Sequence, residues 1–252
     1  MVRVSVVCLT WNHLKYTQKA INSILPIMRA DDELIVVDNC STDGTREYLK
    51  ELAKDSRVVV CLLTENTSIT KSYNTGIKAS SGEFIFIFDN DLEIVEPNTL
   101  DHMIQTFDVL EGDCRKIGIV APHTNNIIGR QRSIIDSTHK CNRIENITMR
   151  RLRPYPILPS AAILILREAG EKVGWFDERY DGYGMLDLDF ARSVIVAGYE
   201  IILDGFIFVK HYGSVTAFDY DIQPDLIRMR QLFDAKWNLP DTSGRPPRHW
   251  GR

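Results

Sequence analysis

The sequence predicts an α/β fold in which a largely parallel sheet carries helices on both faces. Three observations predict it. Short β-branched runs alternate with helical patterns, these runs are apolar throughout rather than at every second position, and each of the first four ends in polar residues. Strands buried on both faces read as continuous apolar runs, and the β-α-β-α order is that of parallel strands joined by helical crossovers.

The elements follow in order. Val4–Thr10 reads as a strand, ended by Trp11-Asn12-His13, with a helix over residues 17–25. Glu33–Asp38 is a second strand, followed by Asn39-Cys40-Ser41-Thr42-Asp43-Gly44 and a helix over 45–54 for which Ser41, Thr42 or Asp43 offers an N-cap. Residues 58–63 form a third strand and 71–79 a third helix, left through Ser80-Ser81-Gly82. Phe84–Phe88 is a fourth strand that runs into Asp89-Asn90-Asp91. The pattern then loosens: a helix over 99–110, a strand over 117–121, and a polar, basic stretch over 123–153 compatible with a small hairpin or a loop. A strand over 161–166, a helix over 185–197 and one or two strands over 201–211 come next. Leu226, Met229, Leu232, Phe233 and Trp237 recur at near-helical spacing, which predicts a C-terminal amphipathic helix over 223–238. Residues 240–252, with three prolines and three arginines, read as an arm.

Composition narrows the function. The 252 residues are 44% hydrophobic and 25% charged, ordinary for a globular chain with an ample core. The net charge of −4 excludes attraction to nucleic acid by bulk charge. No apolar run has the ~18–20 residues that span a bilayer. Residues 1–13 lack the apolar core and cleavage site of a secretion signal. The five cysteines are scattered without a C-x-x-C pair, so reduced thiols and a cytoplasmic location are expected. Asn66-Thr67-Ser68 and Asn146-Ile147-Thr148 match the glycosylation acceptor pattern by chance on this reading.

The chemistry sits where open parallel sheets collect ligands, beyond the carboxyl ends of the strands. The segment after the first strand, CLTWNHL, contains no glycine, which excludes the dinucleotide fingerprint, and no P-loop occurs. The polar ends Thr10-Trp11-Asn12, Asp38-Asn39, Thr64-Glu65-Asn66 and Asp89-Asn90-Asp91 should therefore converge on an acidic, amide-rich site. Two carboxylates two residues apart suit one hard divalent cation, Mg²⁺ or Mn²⁺. The alternative on spacing alone is an exposed turn with two solvated acids.

Four segments carry a resemblance: TWN after the first strand, VVDNCSTDGT, ENTSITKSYNTGIKASSGEFIFIFDND, and GWFDERYDGYGMLDLDFARSVIVAGYEI. In this order they resemble the family-two inverting glycosyltransferases of GT-A fold, over about residues 3–215. The resemblance implies a single GT-A domain over 1–215, with a Rossmann-like nucleotide-binding half (about 1–122) and an acceptor-binding half (123–215), then a C-terminal helix and basic tail over 216–252. It implies a nucleoside-diphosphate sugar donor, Mn²⁺ or Mg²⁺, and a carbohydrate or lipid-linked acceptor. Residue by residue it places Thr10, Asn12, Asp38, Asn66, Asn74, Asp89 and Asp189 at the nucleotide-sugar, with Gly76 packed against the pocket. Asp91, His211 and Asp89 are placed at the metal, and Asp187 is the catalytic base. Asp38 matches the acid that bonds the base, commonly uracil or thymine, so UDP- or dTDP-linked donors are favoured. Where the family usually reads Glu-Asp-x-Asp, this chain has Leu186-Asp187-Leu188-Asp189, which leaves a role of the missing Glu in doubt and a non-catalytic nucleotide-sugar sensor as the rival. Asn39, where many members carry a second Asp, is shared with the rhamnosyltransferase-like branch. Trp175, Tyr180 and Tyr183 are candidates for stacking on a sugar, and Arg192 for pairing with an acid. Arg130, Arg132, Arg143, Arg150, Arg151 and Arg153 are candidates for an anionic acceptor, and contact with a membrane surface would be peripheral.

Overall fold

The computed structural model describes residues 3–111, 116–125, 150–152, 162–213 and 221–239. In chain order the elements are β1 (Val4–Thr10), α1 (Leu14–Ile24), β2 (Glu33–Asp38), α2 (Thr45–Leu52), β3 (Val58–Leu62), α3 (Ile69–Ala79), β4 (Phe84–Phe88), β5 (Leu92–Ile94), α4 (Thr99–Glu111), β6 (Ile117–Thr124), β7 (Arg150–Leu152), β8 (Ala162–Leu166), α5 (Arg167–Val173), α6 (Leu186–Val196), β9 (Glu200–His211) and α7 (Gln223–Lys236). One mixed sheet runs through them in the order β3-β2-β1-β4-β8-β6-β9-β5, with β7 paired to β9.

The expected parallel unit is present: β1 pairs in parallel with β2 and β4, and β2 with β3. The chain moves outward from β1 through β2 to β3, then returns to β4 on the other side of β1. That reversal is a topological switch point, and it opens a crevice beyond Thr10 and Phe88. The parallel run ends where β8 joins β4 antiparallel, Phe84 opposite Leu166 and Phe88 opposite Ala162.

Alternation along the strands builds two cores. Val4, Val6 and Cys8 face α1, α2 and α4 through Ala20, Ile21, Ile24, Leu49, Met103 and Phe107. Val7, Ile35 and Ile85 face α3, α5, α6 and α7 through Tyr73, Ile77, Ala169, Phe190, Met229 and Phe233. Helices thus cover both faces, and no helix among the described residues is long and apolar enough to cross a membrane.

Gly76 is the closest approach of α3 to the sheet: a Cβ there would lie 2.6 Å from Val7 Cγ1 and 2.8 Å from Val37 Cγ2. Both neighbours are β-branched and stiff on a buried strand. Gly76→Ala is expected to cost about 1–3 kcal/mol through overpacking, against a helix-propensity gain of about 1 kcal/mol. Urea unfolding checks this, and an unchanged or raised midpoint would refute the tight contact.

Several boundaries differ from the sequence reading for tertiary reasons. α1 begins at Leu14 because Asp43 Oδ2, from the loop after β2, accepts Leu14 N–H at 2.9 Å. α3 begins at Ile69 because Ser68 Oγ caps Lys71 N–H at 3.3 Å. β5 and α5, of three and seven residues, are too short for a periodic signal. The 201–211 region is one bent strand, β9, whose register against β6 slips between Pro122 and His123. Of the 123–153 stretch, His123 and Thr124 belong to β6 and residues 150–152 to β7. Its remaining basic residues Arg130, Arg132, Arg143 and Arg153, together with the 240–252 arm, lie outside the described residues.

Candidate active site

The loops at the strand ends are joined to one another. Asn39 N–H donates to Thr10 O at 2.8 Å, linking β2 to β1 beyond their last residues. Asn12 donates its N–H to Ser41 Oγ at 2.7 Å and accepts Thr42 N–H on Oδ1 at 2.8 Å. Asn39 then clamps the loop before α3 with both ends of its amide, each 2.8 Å from the Thr67 backbone. Asn12 and His13 hold φ of 54° and 57°, a left-handed turn that Asn tolerates and that the cross-loop bonds stabilise. Thr10 is buried, its Oγ1 2.7 Å from Thr17 Oγ1, and Asn90 Nδ2 reaches that pair at 3.3 and 3.1 Å. Asn90 is the anchor that holds the two flanking aspartates at the crevice.

Asp89, Asp91 and His211 meet at the switch point. Asp91 Oδ2 lies 3.2 Å from His211 Nε2, and both side chains are nearly fully buried. β9 delivers the histidine: His211 pairs with Leu92 of β5, and its N–H and C=O are held by the Asn125 amide at 2.7 and 2.9 Å. Asp89 Oδ1 accepts the Tyr73 hydroxyl from α3. Burial, and then the neighbouring Asp91 charge, push the Asp89 carboxyl up to about 7, while the Tyr73 bond and His211 work the other way. Asp187 adds to the same rise, so its charge is felt at Asp89 across the crevice. Asp187 stands half-buried on the first turn of α6, where the helix N-terminus favours negative charge.

Carboxylate oxygens suit Mg²⁺ or Mn²⁺, and a single imidazole nitrogen beside them is accommodated more readily by the transition ion Mn²⁺ than by Mg²⁺. Among the described residues no three such side chains form a ready-made cage. Asp91 and His211 present a two-donor face instead, with the Asp89 charge beside it. This fits a cation that keeps its other positions for water or phosphate oxygens, the usual habit of Mg²⁺ sites.

The other candidates divide. Asp38 is fully buried at the end of β2, with Oδ2 2.7 Å from Arg46 Nε and the Ser41 N–H at 3.2 and 3.3 Å from its two oxygens. Arg46, which also bonds Leu63 O, was not foreseen; its place on the first turn of the helix after the Asp38 loop was the available signal. Asn66 is exposed in the loop before α3. Asn74 sits on α3 with its amide bonded to the 176–178 segment. Its Nδ2 donates to Phe176 O at 2.8 Å and Glu178 Oε1 at 3.0 Å, and its Oδ1 accepts Phe176 N–H at 3.2 Å, so the amide is spent on packing. Asp189 is 2% exposed, and its oxygens accept the Tyr180 hydroxyl, Lys236 Nζ and the Trp237 indole N–H. Tyr180 is fully buried and unavailable to a sugar ring. Trp175 packs over Gly170, and Arg192 lies over the Trp237 ring at 4.6 Å.

Residues 5–171 match the model of Glycosyl transferase family 2. An uncharacterized glycosyltransferase of Nostoc sp. is 23% identical over 177 residues, 68% of this chain and 53% of that protein. The poly(ribitol-phosphate) beta-N-acetylglucosaminyltransferase TarS of Staphylococcus aureus is 31% identical over 94 residues, 36% of this chain and 16% of TarS. The chain therefore spans about half of the first relative and a small part of the second. Among solved structures, S. aureus TarS 1-349 in complex with UDP-GlcNAc superposes with a TM-score of 0.70 at 18% identity, covering 96% of this chain and 69% of that one. The mannosyltransferase PcManGT of Pyrobaculum calidifontis, in complex with GDP-Man and Mn²⁺, gives 0.68 at 19% identity, covering 95% and 65%. These likenesses establish a shared GT-A fold. Because the family match runs unbroken from β1, through the acids that follow β4, into α5, the chain belongs to glycosyl transferase family 2.

Proposed function

We propose that this chain is a metal-dependent, inverting glycosyltransferase that moves a hexosyl or deoxyhexosyl unit from a nucleoside-diphosphate sugar to an acceptor hydroxyl in polysaccharide or glycoconjugate synthesis. The observation that carries the reading is Asp187, set on a helix N-terminus apart from Asp91 and His211 yet close enough for its charge to act on Asp89. On this reading Asp187 serves proton transfer, and Asp91 and His211 serve the cation. The UDP-GlcNAc in TarS and the GDP-Man and Mn²⁺ in PcManGT support a nucleotide-sugar donor and a divalent ion.

Asp91 and His211 would hold Mn²⁺ or Mg²⁺, with Asp89 beside them; when bound, the ion neutralises charge on the departing diphosphate. Asp38 and Asn12 line the nucleotide end, and Asp38 favours a uracil or thymine base. Asp187 accepts the proton of the acceptor hydroxyl as that oxygen attacks the anomeric carbon. The new C–O bond forms on the face opposite the leaving group, and the electron pair of the broken C–O bond leaves with the diphosphate. One displacement inverts the anomeric centre. The acceptor is a carbohydrate or a lipid-linked sugar, reached from the cytoplasmic side with peripheral membrane contact.

A thermal-shift panel of UDP-, dTDP- and GDP-sugars with and without Mn²⁺ tests this. At least one nucleotide class should raise the midpoint in a Mn²⁺-dependent way, as binding to the folded state requires, and Asp91→Ala should lose the dependence. No shift with any donor and either cation would overturn the reading. The sensor alternative, which rests on Leu186, predicts binding without release of nucleoside diphosphate.

A further inference from the structure

Asp187 and Asp189 share the first turn of α6. Two residues along a helix correspond to about 200° of rotation, so the two carboxylates leave the helix on opposite sides. Asp187 bears on the crevice, and Asp189 is buried behind it. Its Oδ1 accepts the Trp237 indole N–H at 2.8 Å and the Tyr180 hydroxyl at 3.0 Å; its Oδ2 accepts Lys236 Nζ at 2.7 Å. The same ammonium reaches Asp177 Oδ2 at 2.9 Å, and the Trp237 ring stacks under Arg192 of α6. The last turn of α7 is thereby fastened to the first turn of α6.

The chain enters α6 through Gly184 and Met185, at φ of 98° and 63°. A non-glycine residue held left-handed is strained, so the entry alone does not hold the helix where it lies. The anchored Asp189 does. Tyr180 extends the fastening to α3, because its carbonyl accepts Thr70 Oγ1 at 3.0 Å.

We propose that Lys236 and Trp237 are positioning residues of α7 that act through Asp189 to set the rotation and depth of the α6 N-terminus, and with it the reach of Asp187 into the crevice. This rests on the reading of Asp187 as the base. Neither α6 nor α7 lies within the family-model match, which ends at residue 171.

Two measurements on the full chain test it. In hydrogen exchange of the ligand-free protein, Trp237→Phe, which removes the indole N–H with its five-membered ring and leaves an aromatic side chain, and Lys236→Met should each speed exchange of the Leu188–Phe190 amides by tenfold or more, with β1 and β4 unchanged. Parent-like exchange there would overturn the latch. In turnover, release of nucleoside diphosphate from UDP-GlcNAc or GDP-mannose with Mn²⁺ and water as acceptor, kcat should fall tenfold or more while KM stays within twofold. Lys236→Arg should retain most of the rate, and Trp237→Phe should add no further loss to Asp187→Asn. A kcat within twofold of the parent, or an equal loss in the Asp187→Asn background, would reduce the contact to a structural one and overturn the proposal. Full turnover by Asp187→Asn, or none by the parent, counts against the base reading, and the exchange result still decides the latch by itself.

Discussion

Asp187→Asn is expected to lower glycosyl transfer by a factor of about 10²–10⁴, the usual contribution of a positioned general base, while nucleotide affinity stays within twofold. The amide is isosteric and still accepts Leu188 N–H, the 2.9 Å bond that Asp187 Oδ1 makes at the helix start. What it loses is the capacity to take a proton. The carboxylate lies on α6, whereas Asp89 and Asp91 lie in the turn between β4 and β5 and His211 ends β9, so donor binding is expected not to need it. Initial rates with saturating donor, paired with calorimetric binding of the nucleoside diphosphate, separate the two quantities. Transfer at the parent rate would remove Asp187 from the chemistry. Equal losses in rate and affinity would make it a donor contact instead.

The second large effect concerns charge rather than rate. Burial and the Asp91 carboxylate hold Asp89 well above its ordinary 3.8, at about 7. In the metal-free protein the folded state therefore keeps a proton that the unfolded chain releases between about pH 4 and 7. Stability contributed through this group falls as pH rises through that window and is fully lost above it. Asp89→Asn removes the titration yet retains a carbonyl to accept the Tyr73 hydroxyl. Urea midpoints of parent and variant should agree near pH 4 and diverge by pH 8, with the variant more stable by a few kcal/mol, the scale set by about 1.4 kcal/mol per pKa unit. Millimolar Mn²⁺ should narrow the gap by stabilising the parent. Parallel profiles from pH 4 to 8 would show that the crevice acids do not repel one another as their burial requires.

The elements with a strong period were legible in the sequence. Val4–Thr10, Glu33–Asp38 and Phe84–Phe88 match the observed strands residue for residue, because a strand buried on both faces leaves an uninterrupted apolar run with a polar stop. The convergence of Asp38, Asp89 and Asp91 followed from the same stops, since parallel strands put their carboxyl ends on one edge. The partners of Asn74 and Asp189 were not legible in the sequence, for one reason. A motif gives a residue type at a position, but the direction and partners of the side chain depend on what the fold packs against it. The 175–180 segment meets Asn74 about a hundred residues along the chain, and α7 meets Asp189 some forty-seven residues on. Arg46 beside Asp38 escaped notice for the same cause.

The sequence by itself determined the parallel β-α-β character of residues 4–88, the acids that follow its strands and the family. Tertiary structure alone decided which partner each acid meets. Local backbone preference and side-chain period act over a few residues, whereas the Asp91–His211 pair, the Tyr73 bond to Asp89 and the α7 hold on α6 join groups that only the closed sheet brings within reach.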